Sequence, residues 1–253
     1  MKRLVWALLG LVCVVTTAHA EIPPNYILSL QTENFPPYNF AINGSNYAKG
    51  NDVDGISVRI VREMFKRANI RQKVTLRFPW ERIYKKAMEK EGFGVFSMVR
   101  SDEREPLFKW VGPLAPDEWV FFARDGSNIR LNSLEDARKY KIGGYKGDAL
   151  TDYLLEQGFR VQQSVADHLN ASKLASGKID LWAANNYSGL FLANREKVTG
   201  IKQVLTFDKV DLYLGLNRET PDEVVQTLQS ALDSIRNDGS LDNIINSYLR
   251  QSP

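Results

Sequence analysis

Strand-like and helix-like segments alternate along nearly the whole chain, and this order limits the possible folds more than any other feature. Tyr26–Leu30 and Val74–Phe78 have the composition of strands. Between them, apolar residues from Val58 to Ala68 recur at helical spacing with charged residues on the other face. Trp80–Lys90 has the same helical pattern. Such alternation predicts an α/β architecture with crossover connections.

The second half of the chain repeats this order after a change in character. Glu118–Arg124 is strongly β-prone, and a new cycle of strands and helices follows it. Two similar cycles joined here predict two lobes rather than one sheet, and we expect the last helices to return to the first lobe. The helices predicted in this half are Ser133–Tyr140, Ala149–Glu156, Val165–Ser176 and Asp222–Asp238.

The first twenty residues have the pattern of an export signal. Lys2 and Arg3 precede an apolar run from Leu4 to Val15, and Ala18-His-Ala20 is a small-residue cleavage motif. We therefore expect residues 1–20 to be a signal peptide cleaved after Ala20, and the mature protein to be periplasmic. The single cysteine, Cys13, lies in this leader, so the mature chain has no disulfide.

Charge and histidine content exclude several functions. The net charge is +3, but Lys2 and Arg3 supply two of those charges, so a nucleic-acid partner has no support. Without the leader, His168 is the sole histidine, which excludes a site with several histidine ligands and any triad around another histidine. A surface or capping role is expected for His168. We predict no catalytic residue, metal or cofactor.

The segment from Gly94 to Arg104 carries the strongest local signal of a binding site. A strand predicted to end at Val99 leads to Ser101, which is placed as a helix N-cap. Free backbone N–H groups at a helix start, beside the planar fork of Arg104, suit a carboxylate. Arg100 is a candidate only because it lies close to Arg104. In the alternative interpretation, both arginines are solvated and pair with neighbouring acids.

The order of several short motifs resembles the bacterial extracellular solute-binding proteins of family 3, which are periplasmic amino-acid-binding components of ABC importers. Each motif is weak alone, and their order and spacing together carry the resemblance. The motifs are Phe35-Pro-Pro-Tyr38, Val53-Asp-Gly-Ile-Ser-Val58, Ser101-Asp-Glu-Arg104 with Phe108, Ser133-Leu-Glu-Asp136, Ile142-Gly-Gly-Tyr-Lys-Gly147, Gly177-Lys-Ile-Asp180 and Asp238-Gly-Ser-Leu-Asp242.

The resemblance implies a type II periplasmic-binding-protein fold, in which two α/β lobes joined by a two-stranded hinge trap a ligand between them. The first lobe would hold residues 21–117 and 213–253, and the second lobe residues 118–212. Matched positions imply that Arg104 grips a ligand carboxylate, that Phe35 and Trp80 are aromatic contacts, and that the turn at Gly147 and Asp148 donates backbone groups to that carboxylate.

Two positions depart from the family pattern. Where the family usually has Thr or Ser to hydrogen-bond the ligand, this chain has Val99. Where a second acid usually pairs with the ligand ammonium, this chain has Asn185, which supplies a dipole but no charge. Either Glu33 supplies the missing charge, or the ligand is not an ordinary amino acid.

The function expected from these residues is capture of a small carboxylate-bearing solute by a monomer that closes and then docks on a membrane ABC permease. An enzyme resembling periplasmic cyclohexadienyl dehydratases is one alternative, for which Glu33, Glu81 and Asp148 are the available general acids. A receptor that reports ligand occupancy to a membrane sensor is another alternative, and the sequence does not separate it from transport.

Overall fold

A computed structural model describes residues 22–249, and the predicted signal peptide at 1–20 lies outside this range. The strands differ widely in length, and two of them are much longer than the rest. They are β1 (Ile27–Thr32), β2 (Phe40–Ala41), β3 (Tyr47–Lys49), β4 (Val53–Asp54), β5 (Arg71–Arg77), β6 (Phe93–Val99), β7 (Lys109–Arg124), β8 (Ile142–Tyr145), β9 (Val161–Ser164), β10 (Leu181–Asn185) and β11 (Ile201–Leu216).

Helices separate most of these strands, as the alternating sequence pattern predicts. Short 3₁₀ helices cover Gly50–Asp52, Glu105–Leu107 and Leu134–Lys139. The α-helices are α1 (Ile56–Arg67), α2 (Trp80–Glu89), α3 (Ala149–Glu156), α4 (His168–Ala175), α5 (Asn186–Arg195), α6 (Asp222–Asn237) and α7 (Ser240–Leu249).

Nine strands form one continuous sheet in the order β3-β5-β1-β6-β11-β7-β10-β8-β9, and β2 pairs with β4. β1 is parallel to β5 and β6, and β8 is parallel to β9 and β10, so each side of the sheet has its own parallel set. The 16-residue strands β7 and β11 are antiparallel and join the two sets. The fold is therefore mixed α/β with two lobes, as predicted. The expectation of two lobes rather than one sheet is wrong in its second part, because β11 also pairs with β6 and β7 also pairs with β10, so one sheet runs through both lobes.

Each lobe has buried clusters of its own. In the first lobe, α6 packs against α1, where the fully buried Leu228 and Leu232 share a cluster with Val61 and Met64. The second lobe buries Phe121 and Leu181 in a separate cluster. The two groups of clusters meet along β7 and β11, and the exact lobe boundaries at 117/118 and 212/213 remain a prediction.

Three predicted elements differ from the structure. The Ser133–Tyr140 helix is the shorter 3₁₀ helix Leu134–Lys139, which ends where Tyr140 has extended backbone. The Val165–Ser176 helix begins only at His168, after a loop at the end of β9. The β-prone run Glu118–Arg124 is the end of β7, which begins at Lys109 because it pairs with β11 along its whole length.

None of the helices within residues 22–249 combines the length and the apolar character needed to cross a bilayer.

Candidate ligand-binding cleft

A cavity of about 310 Å³ lies between the lobes, at the carboxyl ends of strands from both parallel sets. Thr32, Val99, Tyr145 and Asn185 each end a strand, and all four line this cavity. The carboxyl edge of a parallel sheet is the usual place for a ligand in an open α/β fold, because loops from neighbouring strands converge there. The volume lies at the lower end of the range typical of small-molecule sites.

Arg104 is buried in the cavity wall, with 8% of its surface exposed. Its Nη2 donates a hydrogen bond to the carbonyl oxygen of Gly147 in the other lobe, at 3.2 Å. Asp152, which lies in the second lobe like Gly147, places its Oδ2 3.9 Å from Arg104 Nη2. The Arg104 guanidinium also lies over the rings of Trp80 and Tyr84. A guanidinium has five N–H groups, so this single hydrogen bond leaves donors for a carboxylate in the cavity.

The local structure that places Arg104 differs from the prediction. No α-helix begins at Ser101. A turn brings the Arg104 N–H within 3.0 Å of the Ser101 carbonyl oxygen, and a single 3₁₀ turn over Glu105–Leu107 follows. Because β7 begins at Lys109, the chain has room for only this short helix. The predicted helix N-terminus is therefore absent, and Arg104 provides the donors near this strand end.

Arg100 does not line the cavity, which corrects the prediction that it contacts ligand. Its guanidinium forms an ion pair with Glu105 on the surface and lies over the rings of Trp110 and Tyr213. For Arg100, the structure agrees with the alternative interpretation, in which the arginine is solvated and pairs with a neighbouring acid.

The turn after β8 brings the second lobe to Arg104. Gly147 has φ of +75°, a left-handed conformation that favours glycine, and a Cβ at this position would meet the side chains of Glu81 and Trp80. Its carbonyl accepts from Arg104, whereas the prediction had backbone groups of this turn donating to a ligand. Asp148 lines the cavity at the N-cap of α3, and burial raises its pKa to about 7.

Glu33 also connects the lobes. Tyr145 Oη donates a hydrogen bond to Glu33 Oε2 at 3.0 Å, and the backbone N–H of Trp80 lies 3.4 Å from the same phenol oxygen. Burial raises the pKa of Glu33 to about 8, and the carboxyl of Asp148 adds to this rise. The pKa of Tyr145 is also raised, mainly by burial and then by Glu33. From the sequence, Tyr145 has no predicted role beyond its place in the motif from Ile142 to Gly147.

Phe35 and Trp80 both line the cavity, and both also pack inside their lobe. Phe35 stacks on the buried ring of Tyr38 with 5.0 Å between centroids, and Trp80, the first residue of α2, lies 6.0 Å from Tyr84. For both aromatic residues, packing inside the lobe is compatible with a place at the cavity wall.

The two departures from the family pattern lie at the cavity wall. Val99 lines the cavity and has no side-chain group that forms hydrogen bonds. Asn185 lines it too, but its Nδ2 donates to the buried carboxylate of Asp117, which also accepts from Tyr38 Oη at 3.1 Å. Burial raises the pKa of Asp117 to about 7. Asn185 precedes α5 without a side-chain cap hydrogen bond.

Sequence reasoning missed Asp167 and misplaced His168. Both residues line the cavity: Asp167 is the N-cap of α4, and His168 is the first residue of that helix. The surface or capping role expected for His168 does not describe it fully. Its side chain is half-buried at the cavity, and burial lowers its pKa. No motif marks these positions. The only signal in the sequence is the acid–histidine pair just before a predicted helix.

Solved structures with the same arrangement have low sequence identity to this chain. A histidine kinase sensor domain with similarity to periplasmic binding proteins has a TM-score of 0.79 at 18% identity, covering 88% of this chain and 96% of that one. An ancestral arginine-binding protein bound to arginine has a TM-score of 0.74 at 19% identity, with 89% and 99% covered. The arginine-, lysine-, histidine-binding protein ArtJ from Geobacillus stearothermophilus has a TM-score of 0.75 at 15% identity, with 89% and 96% covered.

These likenesses and the cleft define a two-lobed protein of the periplasmic-binding-protein fold. Residues 28–251 match the bacterial extracellular solute-binding proteins, family 3, and the chain belongs to that family. No curated protein matches the sequence. The fold and the family expected from the sequence motifs are thus confirmed, and the family and its structural neighbours are mostly binding proteins.

Proposed function

We propose that this protein captures a small carboxylate-bearing solute, an amino acid or a related acid, between its lobes in the periplasm and delivers it to a membrane ABC importer. The observation that carries the proposal is Arg104, a buried guanidinium at the cavity wall that the second lobe contacts through Gly147. Arg104, Phe35, Trp80, Val99, Glu33, Asp148 and Asn185 are the proposed ligand contacts, with Gly147 supporting Arg104.

Closure and binding are linked in this arrangement. A ligand shifts an open–closed equilibrium only by contacts that it makes in the closed form. Here the cavity wall comes from both lobes, so a bound solute contacts both at once. Residues 118–212 would then swing as a lobe about β7 and β11. The monomer in its closed form is the species proposed to meet the permease.

Ligand identification tests this proposal. Native mass spectrometry of the purified protein should show a co-purified small solute, and a thermal-shift screen of amino acids and related acids should raise the Tm with at least one of them. A ligand that stabilises the protein adds RT ln(1 + [L]/Kd), about 2.7 kcal/mol at a hundred times Kd. If no carboxylate-bearing solute raises the Tm of ligand-stripped protein, the proposal is wrong.

An enzyme of the cyclohexadienyl dehydratase type is the second candidate, and the acids of the cleft favour it. Glu33 and Asp148 have pKa values raised by burial to about 8 and about 7, which suits a carboxyl group that donates a proton near neutral pH. Incubation of the purified protein with prephenate or arogenate decides between the binding protein and the enzyme, because only the enzyme gives product.

A ligand-sensing receptor would use the same closure. Its partner would be a membrane sensor in place of a permease, and the sensor-domain likeness shows only that the fold is compatible with this role. Genes next to this one, encoding either a permease or a sensor kinase, separate the two.

A further inference from the structure

The charged groups of the cavity are unbalanced. Three carboxyl groups, those of Glu33, Asp148 and Asp167, line it together with two arginines, Arg104 and Arg195. Both arginines have acid partners of their own. Arg104 lies 3.9 Å from Asp152, and Arg195 Nε lies 3.3 Å from Glu196.

The three cavity acids have no such partner. Within residues 22–249, no lysine or arginine forms an ion pair with Glu33, Asp148 or Asp167. His168 is next to Asp167, but its lowered pKa keeps it neutral near pH 7. Burial raises the pKa of all three acids, to about 8, 7 and 6 respectively, and the charge of Arg104 opposes the rise only at Asp148.

Asp167 is the most firmly positioned of the three. Its Oδ1 accepts hydrogen bonds from Trp182 Nε1 at 2.9 Å and from Asn170 Nδ2 at 3.0 Å. Trp182 and Asn170 are both fully buried, so these donors fix the carboxyl group from behind. Among the described residues, no donor is within hydrogen-bond distance of Oδ2, which leaves the second oxygen of this cavity-lining residue for another group.

We infer that the cleft takes a solute with a net positive charge, and that Asp167 holds its cationic group. This inference rests on the proposed function, since it names the class of the solute for the same cleft. An amino acid with a second amino group or a guanidinium fits, because Arg104 receives its carboxylate while the acids receive its two cations. A cationic solute lets these buried carboxyl groups ionise and pairs with them, whereas a solute without net positive charge leaves them largely protonated and gains no charge pairing from them.

Isothermal titration calorimetry on the ligand-stripped full-length mature protein tests the inference. The titrants are L-arginine, L-lysine and L-ornithine, compared with L-glutamine and L-glutamate. We expect at least one cationic amino acid to bind roughly tenfold or more tightly than the neutral and acidic ones, because one buried charge partner is worth this much or more. If glutamine or glutamate binds as tightly as every cationic amino acid, this inference fails and the proposed function stands. If none of the five amino acids binds, this inference fails, and the proposed function fails as well only if the wider thermal-shift screen also finds no carboxylate-bearing ligand.

The variant Asp167→Asn separates the charge of Asp167 from its hydrogen bonds with Trp182 and Asn170. Asparagine keeps an oxygen that can accept from Trp182 and Asn170, so the Tm without ligand should stay within a few degrees, while the affinity for the cationic amino acid falls roughly tenfold or more. Asp52→Asn, at an exposed acid outside the cavity, should leave the affinity unchanged. Unchanged affinity in Asp167→Asn overturns the role of Asp167. If this variant does not fold, the charge preference of the wild-type protein remains the deciding measurement.

Discussion

Tyr145 Oη donates a hydrogen bond to Glu33 Oε2 across the cleft, with 3.0 Å between the two oxygens. Glu33 follows β1 in the first lobe and Tyr145 ends β8 in the second, so this bond exists only where the lobes meet. This hydrogen bond therefore connects Glu33, a proposed ligand contact, to the second lobe. A solute cation that approaches Glu33 therefore acts on the same group that helps to hold the lobes together.

Replacing Tyr145 with Phe should weaken closure. The variant keeps the ring but removes the oxygen that donates to Glu33 and accepts the long hydrogen bond from the Trp80 N–H. The loss should therefore be about 1–2 kcal/mol, or about five- to thirtyfold in affinity for the identified ligand. Calorimetry gives the affinity, and small-angle scattering gives the open fraction without ligand. Tyr153→Phe, in the same lobe and outside the cavity lining, is the control. Unchanged affinity and scattering in Tyr145→Phe would show that the bond does not contribute to closure.

Replacing Arg104 with Ala should abolish most of the binding. A buried ligand carboxylate without its partner costs roughly 2–5 kcal/mol, which corresponds to a loss of at least about thirtyfold in affinity. Arg100→Ala is the matched control, because Arg100 lies four residues earlier on the surface, is paired with Glu105 and does not line the cavity. Calorimetry with the identified ligand measures both variants. Equal affinities in the two would contradict the assignment of Arg104.

The stability of the ligand-free protein should fall as the pH rises from about 4.5 to about 8. The pKa of Glu33 is raised from 4.5 to about 8 in the folded state, so over this window the folded protein holds more protons than the unfolded chain. The stabilising contribution is complete below pH 4.5 and is lost as the pH passes 8. Asp148, with a pKa raised to about 7, acts in the same direction.

Thermal unfolding at a series of pH values measures this dependence. Glu33→Gln should flatten the upper part of the profile, between about pH 7 and 8, and exposed Glu91→Gln should leave it as in the wild type. A profile of Glu33→Gln that coincides with the wild-type profile would refute the protonated state of Glu33 in the closed cleft.

Features set by residues close together in the sequence were predicted better than features set by contacts between distant residues. The bounds of α3, Ala149–Glu156, follow from an Asp before the helix and Gly158 after it, and they were predicted correctly. The family motifs placed Arg104 at the cavity. The extent of β7 was missed because it depends on pairing with β11, a strand about 90 residues further along.

Asp167 shows why the rest of the site was not predictable. Its place at the cavity depends on two hydrogen bonds. One comes from Asn170, within one helical turn, and the other comes from Trp182 in β10. No local pattern encodes that meeting. Glu33, by contrast, was proposed for its charge and position beside the aromatic loop, and it does line the cavity, although its bond to Tyr145 required the second lobe to be in place.

Phe40 and Phe191 form an aromatic contact between the lobes, with ring centroids 6.4 Å apart at 25°. Phe40 is in β2 of the first lobe, and Phe191 is in α5 of the second lobe with 44% of its surface exposed. A stacked aromatic pair contributes about 0.5–1.5 kcal/mol, so Phe191→Ala should shift the open–closed equilibrium toward the open form by about two- to tenfold. Leu190→Ala, at a neighbouring exposed residue of the same helix, is the control. Small-angle scattering without ligand should give a larger radius of gyration for Phe191→Ala only. An equal increase in both variants would indicate a general effect on α5, and no increase in either would show that the aromatic contact does not hold the lobes.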